Sequence, residues 1–459
     1  MDMRAETTET LIEQGDILLT EKEFEDFGSL THIGRRIVEV KYFFEQLQEI
    51  SSHPSLFQCN LSHISIVGEK RIGLISHFRL KCELCGQHFK VTSDYNKKQT
   101  NQIDINTAAC SGIVATGVGY SQFEEMCSAM DVPIFTEKYF AKIQDQVFEE
   151  WEATAVEAME VAAKRERDAA FAEGRVKDGL PVIDVYIDGA WSARSYGTNY
   201  KALSGVAAIV GRKFGEVLFI GVKNKYCLIC ARAEKKKETA KEHVCHKKGS
   251  STGMEAAIIV EGFKKSLEMY GLIYGNVIGD GDSSTYAKIV AANPYPNHIV
   301  SKIECRNHLL RNMCKKLRTI TKNTRYPIGH RKLVTEERIM TIRKVITSSI
   351  KENKQQIHNR DESIKNIHAD ICNPINHGFG DHRSCKDYYC NKDKSFEDSV
   401  IPQIENSVFW FRVRVIINSV ASNSRSLYED VDTNTVERLN SVIAKFVGGK
   451  RINFSFRRS

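Results

Sequence analysis

The sequence lacks any run of about 18–20 consecutive apolar residues, the length that a helix needs to cross a bilayer. Proline is scarce, with eight residues among 459, and there is no collagen-like glycine period, which excludes collagen-like and low-complexity chains. The first residues contain no apolar signal region. A strong excess of one charge is also lacking, because 65 Lys and Arg face 58 Asp and Glu for a net charge of +7. A folded protein with no membrane association, in the cytosol or nucleus, is expected.

Cysteine is present in an odd number, 13. In a reducing compartment these thiols are better interpreted as metal ligands and core residues than as disulfides. The length predicts about three domains. We expect an N-terminal helical region, a zinc-binding β module, a linker region with one long helix, and a catalytic core, at residues 1–54, 55–100, 101–178 and 179–459.

The last of these regions has an α/β pattern. Three apolar strands follow one another and are succeeded by helix, strand, helix, strand and helix. The predicted strands lie at residues 182–188, 205–210, 217–222, 277–280 and 299–303. This order is what an RNase H-like mixed sheet requires. A zinc-binding insertion at about 226–250 and a mainly helical insertion at about 322–425 interrupt the core.

Two aspartates stand at the ends of apolar strands, Asp188 and Asp280. Acidic residues at the carboxyl ends of neighbouring strands can share a divalent cation. Glu437 is a third candidate, on a helix whose apolar face would dock on the sheet and direct the carboxylate inward, a face formed by Val436, Leu439, Val442 and Ile443. Three converging carboxylates would hold two Mg²⁺ or Mn²⁺ ions roughly 3.5–4 Å apart for in-line phosphodiester displacement.

Two further aspartates leave this assignment open. Asp282 lies two residues after Asp280 and precedes a Ser-Ser-Thr helix start, where capping is the favoured role. Asp184 has the same strand parity as Asp188 and remains a minor alternative.

Cysteine spacing indicates zinc. Cys227 and Cys230 form a C-x2-C pair followed by His243 and Cys245 in a hydrophilic segment, a credible tetrahedral set. A second candidate set comprises Cys82 and Cys85 with Cys59 and His88 near them, and its fourth ligand stays open. A third set, dense but irregularly spaced and expected in one loop, comprises His368, Cys372, His377, His382, Cys385 and Cys390. By spacing alone, Cys305 and His308 are a buried cysteine and a capping histidine at a helix start.

The order of these motifs resembles a Mutator-like element transposase, and more narrowly the arthropod Mutator-like transposase domain proteins. The resemblance covers roughly residues 55–459. The motifs that carry it are Ile187 to Trp191, Gly205 to Ile209, Ile278 to Ser284, Cys305 to His308, and Val436 to Asn440, with a C-x2-C and H-x-C insertion before Ser251 to Glu255 and an ending at Gly448 to Phe454.

The resemblance implies an RNase H-like core of the Asp-Asp-Glu type with cut-and-paste DNA transposase activity. It matches Asp188, Asp280 and Glu437 to the catalytic carboxylates, and Cys305 and His308 to a site-supporting C-x2-H motif. Double-stranded DNA as partner, a homo-oligomer and a nuclear location follow by analogy. Two alternatives remain: a domesticated or inactive DNA-binding protein derived from such a transposase, and an RNase H-type nuclease that cleaves RNA:DNA hybrids.

Overall fold

The computed structural model describes residues 34–95, 103–191, 204–224, 227–243, 251–279, 283–355, 359–391 and 399–446. These residues form two compact units, one reaching Val156 and the other running from Glu157 to Ala444. The division falls inside the long helix that the sequence predicts after residue 136. Among the described residues, no helix combines the length and the apolar character needed to cross a membrane.

The first unit contains a small antiparallel sheet, strand order β1-β2-β3, with helices on either side of it in sequence. Its elements are α1 (Val40–Ser51), a 3-10 turn (Leu61–His63), β1 (Ile64–Ile72), β2 (Ile75–Cys82), β3 (His88–Thr92), α2 (Ile105–Thr116), α3 (Tyr120–Ala129) and the first half of α4 (Glu137–Ala172).

Alternation along β2 determines the core of this small sheet. Every second residue of β2 is buried, including Phe78, Leu80 and Cys82. Phe43 and Leu47 of α1, four residues apart on one helix face, pack against this cluster. Cys82 belongs to this core, and Cys59 and Cys85 of the predicted zinc module pack against it.

The second unit is built on a mixed sheet with strand order β7-β6-β5-β8-β9. β5 pairs antiparallel with β6 and parallel with β8, which in turn pairs parallel with β9. The elements are β4 (Val176–Lys177), β5 (Leu180–Trp191), β6 (Ser204–Gly211), β7 (Val217–Asn224), α5 (Leu228–Lys236), α6 (Ser251–Tyr270), β8 (Ile273–Gly279), α7 (Ser283–Ala292) and β9 (Ser301–Glu304). The predicted mixed α/β class is confirmed, and β5 to β9 occur where the apolar segments predicted strands.

Helices cover both faces of this sheet. Ile258, Ile259 and Phe263 of α6, with alanines from the second half of α4, form a core with the inward side chains of β5, β6 and β8. Because residues of a strand alternate between faces, the other face of β6 presents Ala208 and Val210 to a later helix.

The mainly helical segment that follows has its own apolar core, which includes Trp410 and Phe379. Its elements are α8 (Arg306–Lys322), α9 (Ile328–Lys332), α10 (Glu336–Gln355), α11 (Arg360–Cys372), α12 (Pro374–Gly378), a 3-10 turn (Ile401–Gln403), α13 (Val408–Ala421), α14 (Ser424–Glu429) and α15 (Asn434–Phe446). The expected Cys/His-rich loop from residue 368 is corrected here. Ile367 and Ile371 are fully buried at helical spacing, so α11 continues through His368 to Cys372.

Asp184 of β5 is a buried structural carboxylate, only 5% exposed. It accepts hydrogen bonds from Arg175 at 2.5 Å, Arg212 at 2.8 Å and the amide of Asn276 at 2.7 Å. Arg212 also pairs with Glu429 at 2.9 Å. Burial alone would raise the pKa of Asp184, but the Asn276 amide and Arg175 outweigh it and hold the pKa below its ordinary value of 3.8. Its two oxygens therefore bind residues of neighbouring elements. This is a structural role, and it replaces the metal-binding role that the sequence had left open for Asp184.

Asp184→Asn is expected to lower the free energy of unfolding by about 2–3 kcal/mol, because it removes the buried charge that Arg175 pairs with and leaves Arg212 with Glu429 as its partner. Since the folded-state pKa is depressed, the wild-type carboxylate stabilises the fold above about pH 4. This contribution is lost as the pH falls through the folded-state pKa. Urea unfolding between pH 3 and 7 measures both effects.

The matched control is Glu173→Gln, since Glu173 pairs with Lys213 where both side chains are 44% exposed. Water screens the charges of an exposed ion pair, so Glu173→Gln is expected to unfold close to the wild type. Equal stabilities of Asp184→Asn and Glu173→Gln at pH 7 would contradict the structural role of Asp184.

Candidate active site and metal-binding clusters

Asp188 lies near the carboxyl end of β5, beside the end of the parallel strand β8. Tyr186 is in register with Ile278 in that ladder, and β8 ends at Gly279. Asp188 and Gly279 line the same narrow crevice. Asp280 and Asp282 lie outside the described residues, so their assignment stays a prediction. The crevice is therefore at the edge where open sheets with parallel strands bind their ligands.

A second acidic side chain, Glu255 from the first turns of α6, also lines the crevice. It lies against the backbone of Gly189, where an added Cβ would come within 2.7 Å of the Glu255 carboxyl carbon. Glycine at this position thus allows α6 to approach β5 closely beside Asp188. In the sequence, Glu255 belongs to the Ser251 to Glu255 motif, and nothing there indicates its position beside Asp188.

The helix α15 docks on the other face of the sheet through Val436, which is fully buried against Ala208 and Val210. Leu439 packs on the same cluster. Val442, which the amphipathic pattern assigned to the docking face, is 50% exposed. The apolar contact is thus restricted to the first half of α15, the half that contains Glu437.

Asn440 connects α15 to β5. Its Nδ2 donates a hydrogen bond of 2.8 Å to Oδ2 of Asp188. Glu437 lies three residues earlier, and residues three apart are neighbours on one helix face. The docking therefore brings the half-buried Glu437 to the side of α15 that faces Asp188. The role of Asn440 was not predicted, and the one signal for it in the sequence is its i+3 spacing from Glu437.

Cys305 supports the position of Glu437 through Thr433. Oε1 of Glu437 accepts a hydrogen bond of 2.9 Å from the Thr433 hydroxyl, and this hydroxyl lies 3.6 Å from the Cys305 sulfur. Cys305 is 1% exposed, and its backbone N–H donates to the Gly279 carbonyl at 3.2 Å. His308 follows on the same face of α8, and its buried Nδ1 has no hydrogen-bond partner within the part of the chain that the structure describes.

The oxygen donors near Asp188 suit a hard divalent cation. Asp188 and Glu437 supply carboxylate oxygens, and Oδ1 of Asn440 is buried and has no hydrogen-bond partner among the described residues. Carboxylate and amide oxygens are the ligands that Mg²⁺ and Mn²⁺ take in proteins. An unpaired buried amide oxygen is costly unless something binds to it. The residues present fit a cation at this edge of the sheet.

In the first unit, four side chains converge at the end of the small sheet: His53, Cys59, Cys82 and Cys85. The Nε2 atom of His53 lies 3.3 Å from the Cys85 sulfur, and its Nδ1 lies 2.7 Å from the Ile50 carbonyl, which fixes the ring as in many metal sites. Burial opposes ionisation of Cys82, but the backbone N–H groups of Cys85 and Leu84 lower its pKa to about 6.

His53 takes the place in this cluster that the sequence analysis gave to His88. His88 is on β3 next to Phe89, which is 2% exposed in the core that contains Cys82. Because neighbouring residues of a strand point to opposite faces, His88 is directed away from that core. His53 is 29 residues before Cys82 and reaches it through the packing of α1, which spacing does not reveal.

A second group contains Cys227, Cys230 and His243. Nε2 of His243 lies 3.1 Å from the sulfur of Cys227 and 3.3 Å from that of Cys230. The backbone N–H of Cys230 is the main cause of a Cys227 pKa lowered to about 6, which favours the thiolate that metals bind. Cys245, the expected fourth ligand, lies outside the described residues.

A third group contains His377, His382, Cys385 and Cys390. Of the six residues in the predicted third set, His368 and Cys372 are not members of it, because both belong to α11. Cysteine and histidine are zinc ligands, so each of the three groups could hold a structural zinc ion.

The fold and site define a mixed α/β protein with an acidic site at the ends of parallel strands and several Cys/His clusters. The family model described as Mutator-like transposase matches residues 34–390, which is more than three quarters of the chain. The chain belongs to this family. The matched range includes Asp188, Cys305 and His308 and ends before Glu437, whose assignment rests on geometry. No curated protein matches the chain.

Proposed function

We propose that the protein is a DNA transposase of the Asp-Asp-Glu type, which cleaves phosphodiester bonds at transposon ends and joins them to target DNA. Membership of the transposase family supports this class of activity. The strand order β7-β6-β5-β8-β9, with three antiparallel strands followed by two parallel ones, supports an RNase H-like core.

The observation that carries the proposal is the 2.8 Å hydrogen bond from Asn440 to Asp188. Asp188 and Glu437 are 249 positions apart in the sequence, yet this bond holds their two elements together. Like charges in one cleft repel each other unless a cation is bound between them. A protein that used the core only as a scaffold would have no need for this arrangement.

In the proposed reaction, Asp188, Asp280 and Glu437 would hold Mg²⁺ or Mn²⁺, which would supply Lewis acidity for an in-line phosphodiester displacement. Asn440 orients the Asp188 carboxylate, and Thr433, backed by Cys305, orients Glu437. These contacts keep both carboxylates in place before DNA binds, which lowers the entropic cost of assembling the site.

A basic helix face beside the site supports DNA as the substrate. α8 begins directly after Cys305 and extends for about 25 Å at 1.5 Å per residue. Opposite its buried side it exposes Arg311, Lys315 and Lys316, which form no ion pair within the described residues. Unpaired cations along a helix suit a phosphate backbone. The proposal includes a homo-oligomer that joins two DNA ends, and a nuclear location.

The test is a cleavage assay with the full chain and two substrates: duplex DNA taken from both flanks of its coding sequence, and an RNA:DNA hybrid of the same sequence. Cleavage of the duplex at the ends of an inverted repeat in these flanks with Mg²⁺ or Mn²⁺, abolished by EDTA, is expected. Cleavage of the hybrid alone would contradict the proposal in favour of an RNase H-type nuclease. Duplex binding without cleavage in either metal would contradict it in favour of a non-cutting DNA-binding protein.

A further inference from the structure

The segment that follows α12, residues 379–391, contains turns but no helix or strand. Its backbone N–H groups bond within local turns, as from Cys385 to the His382 carbonyl at 3.1 Å and from Cys390 to the Lys386 carbonyl at 3.2 Å, and such turns do not by themselves bring distant side chains together. Four side chains in or just before it nevertheless meet at one point: His377, His382, Cys385 and Cys390. One donor atom from each lies within 4.8 Å of all the others. His382, Cys385 and Cys390 are buried, with exposures of 3%, 6% and 6%.

The distances between these donor atoms match the edges of a zinc tetrahedron. With Zn–N bonds of about 2.05 Å and Zn–S bonds of about 2.3 Å, the edges are about 3.3 Å between nitrogens and about 3.5 Å between nitrogen and sulfur. The two Nδ1 atoms are 3.1 Å apart. The nitrogen–sulfur distances are 3.3 Å for His377 to Cys385, 3.7 Å for His382 to Cys385 and 3.5 Å for His382 to Cys390.

A hydrogen-bonded cluster does not account for this arrangement. Nδ1 of His382 lies within 3.7 Å of three donor atoms, in His377, Cys385 and Cys390. A ring nitrogen has one proton or one in-plane lone pair, so it serves one hydrogen bond in a well-directed geometry. A cation at the centre interacts with all four atoms at once. Two thiolates and two imidazoles are the ligand set that zinc prefers.

We propose that His377, His382, Cys385 and Cys390 bind a structural zinc ion that fixes residues 379–391 onto α10 and α11. Four protein ligands leave no open coordination position, which separates this site from the oxygen-rich site at Asp188. The segment between the ligands packs through the Tyr388 hydroxyl, which bonds to Ser349 of α10 and Asp370 of α11, at 2.8 Å each. Phe379, at its start, packs edge-on against Trp410 in the helical core.

The experiment measures zinc bound per chain in the full-length protein. Cys385→Ser and Cys390→Ser are each expected to lose about one zinc per chain relative to wild type. The matched control is Cys372→Ser, because Cys372 is close in sequence but is not a member of the cluster. This variant is expected to keep the wild-type zinc content. Equal zinc contents of Cys385→Ser and wild type would overturn the proposal.

Cadmium substitution followed by ¹¹³Cd NMR tests the ligand set. His377→Cys keeps four ligands but replaces one of the two ring nitrogens by a third sulfur, so it is expected to fold, retain its metal and shift one cadmium resonance downfield. This variant decides the outcome even if both serine variants fail to fold. A cadmium spectrum identical to that of the wild type would overturn the proposal. Resonances from the clusters at Cys82 and Cys227 are expected to stay unchanged.

Discussion

Asp188→Asn and Glu437→Gln are each expected to lower the rate of duplex cleavage by about a thousandfold or more, with the fold unchanged. Each substitution removes a negative charge that would stabilise a catalytic cation, and such stabilisation contributes several kcal/mol in the transition state. Both replacements preserve shape. Asn at position 188 still offers an oxygen to Asn440, and Gln at position 437 still accepts from Thr433. Single-turnover cleavage in Mg²⁺ and in Mn²⁺ measures the loss.

The matched control for these variants is Glu261→Gln. Glu261 is on α6, the helix that also contains Glu255, but its side chain is 42% exposed and pairs with Lys265. We expect this variant to cleave at the wild-type rate. Thermal unfolding and duplex binding should be unchanged in all three proteins. Cleavage by Asp188→Asn or Glu437→Gln within about threefold of wild type would show that the carboxylate in question is not catalytic.

The strands of the core were predictable from sequence because burial on both faces requires near-continuous apolar residues. Most of β8 follows this pattern, whereas the buried apolar residues of β5, Ile183, Val185 and Ile187, alternate along one face of the strand. The amphipathic pattern of α15 likewise predicted that Val436 docks on the sheet. It did not predict where docking stops, since Val442 is half exposed. The end of the contact is set by the extent of the sheet, which is a tertiary property.

Parity alone could not separate Asp184 from Asp188. Both occupy the same strand at the same parity, and the difference is made by Arg175, Arg212 and Asn276, which surround Asp184 alone. These partners lie before β5, in the turn after β6 and on β8, well apart in the sequence. Asn440 presents the same difficulty, because a neutral amide shows no sequence signal until α15 is docked.

The metal clusters likewise have ligands that the sequence predicts and ligands that it does not. C-x2-C pairs are recognisable because a tight turn brings two sulfurs together locally, as at Cys82 and Cys85. The histidine that completes a cluster comes from wherever the fold supplies it. His88 was chosen for its proximity in sequence, whereas His53 is brought to the cluster by the packing of Ile50 and the rest of α1 on the small sheet.

Cys82→Ser is expected to abolish stable folding of the small sheet formed by β1, β2 and β3. The sheet has three strands and a small apolar core, and small cores bury too little apolar surface to be very stable without a metal or other support. In small zinc-binding peptides the metal contributes on the order of 10 kcal/mol to folding. Loss of one thiolate ligand removes much of this contribution. Hydrogen exchange read by mass spectrometry is expected to show loss of protection across residues 64–92.

His53→Ala and His88→Ala form the matched pair that identifies the fourth ligand. His53→Ala is expected to lose protection in the same residues and to lose about one zinc per chain, because its Nε2 faces the Cys85 sulfur at 3.3 Å. His88→Ala is expected to retain both the hydrogen-exchange protection and the zinc, since His88 is not a member of the cluster. In the hydrogen-exchange measurement, peptides from β5 and β8 serve as internal references, because these strands belong to the other sheet. Normal zinc content in His53→Ala together with loss of zinc in His88→Ala would reverse the assignment, because only the true ligand can be indispensable to the metal.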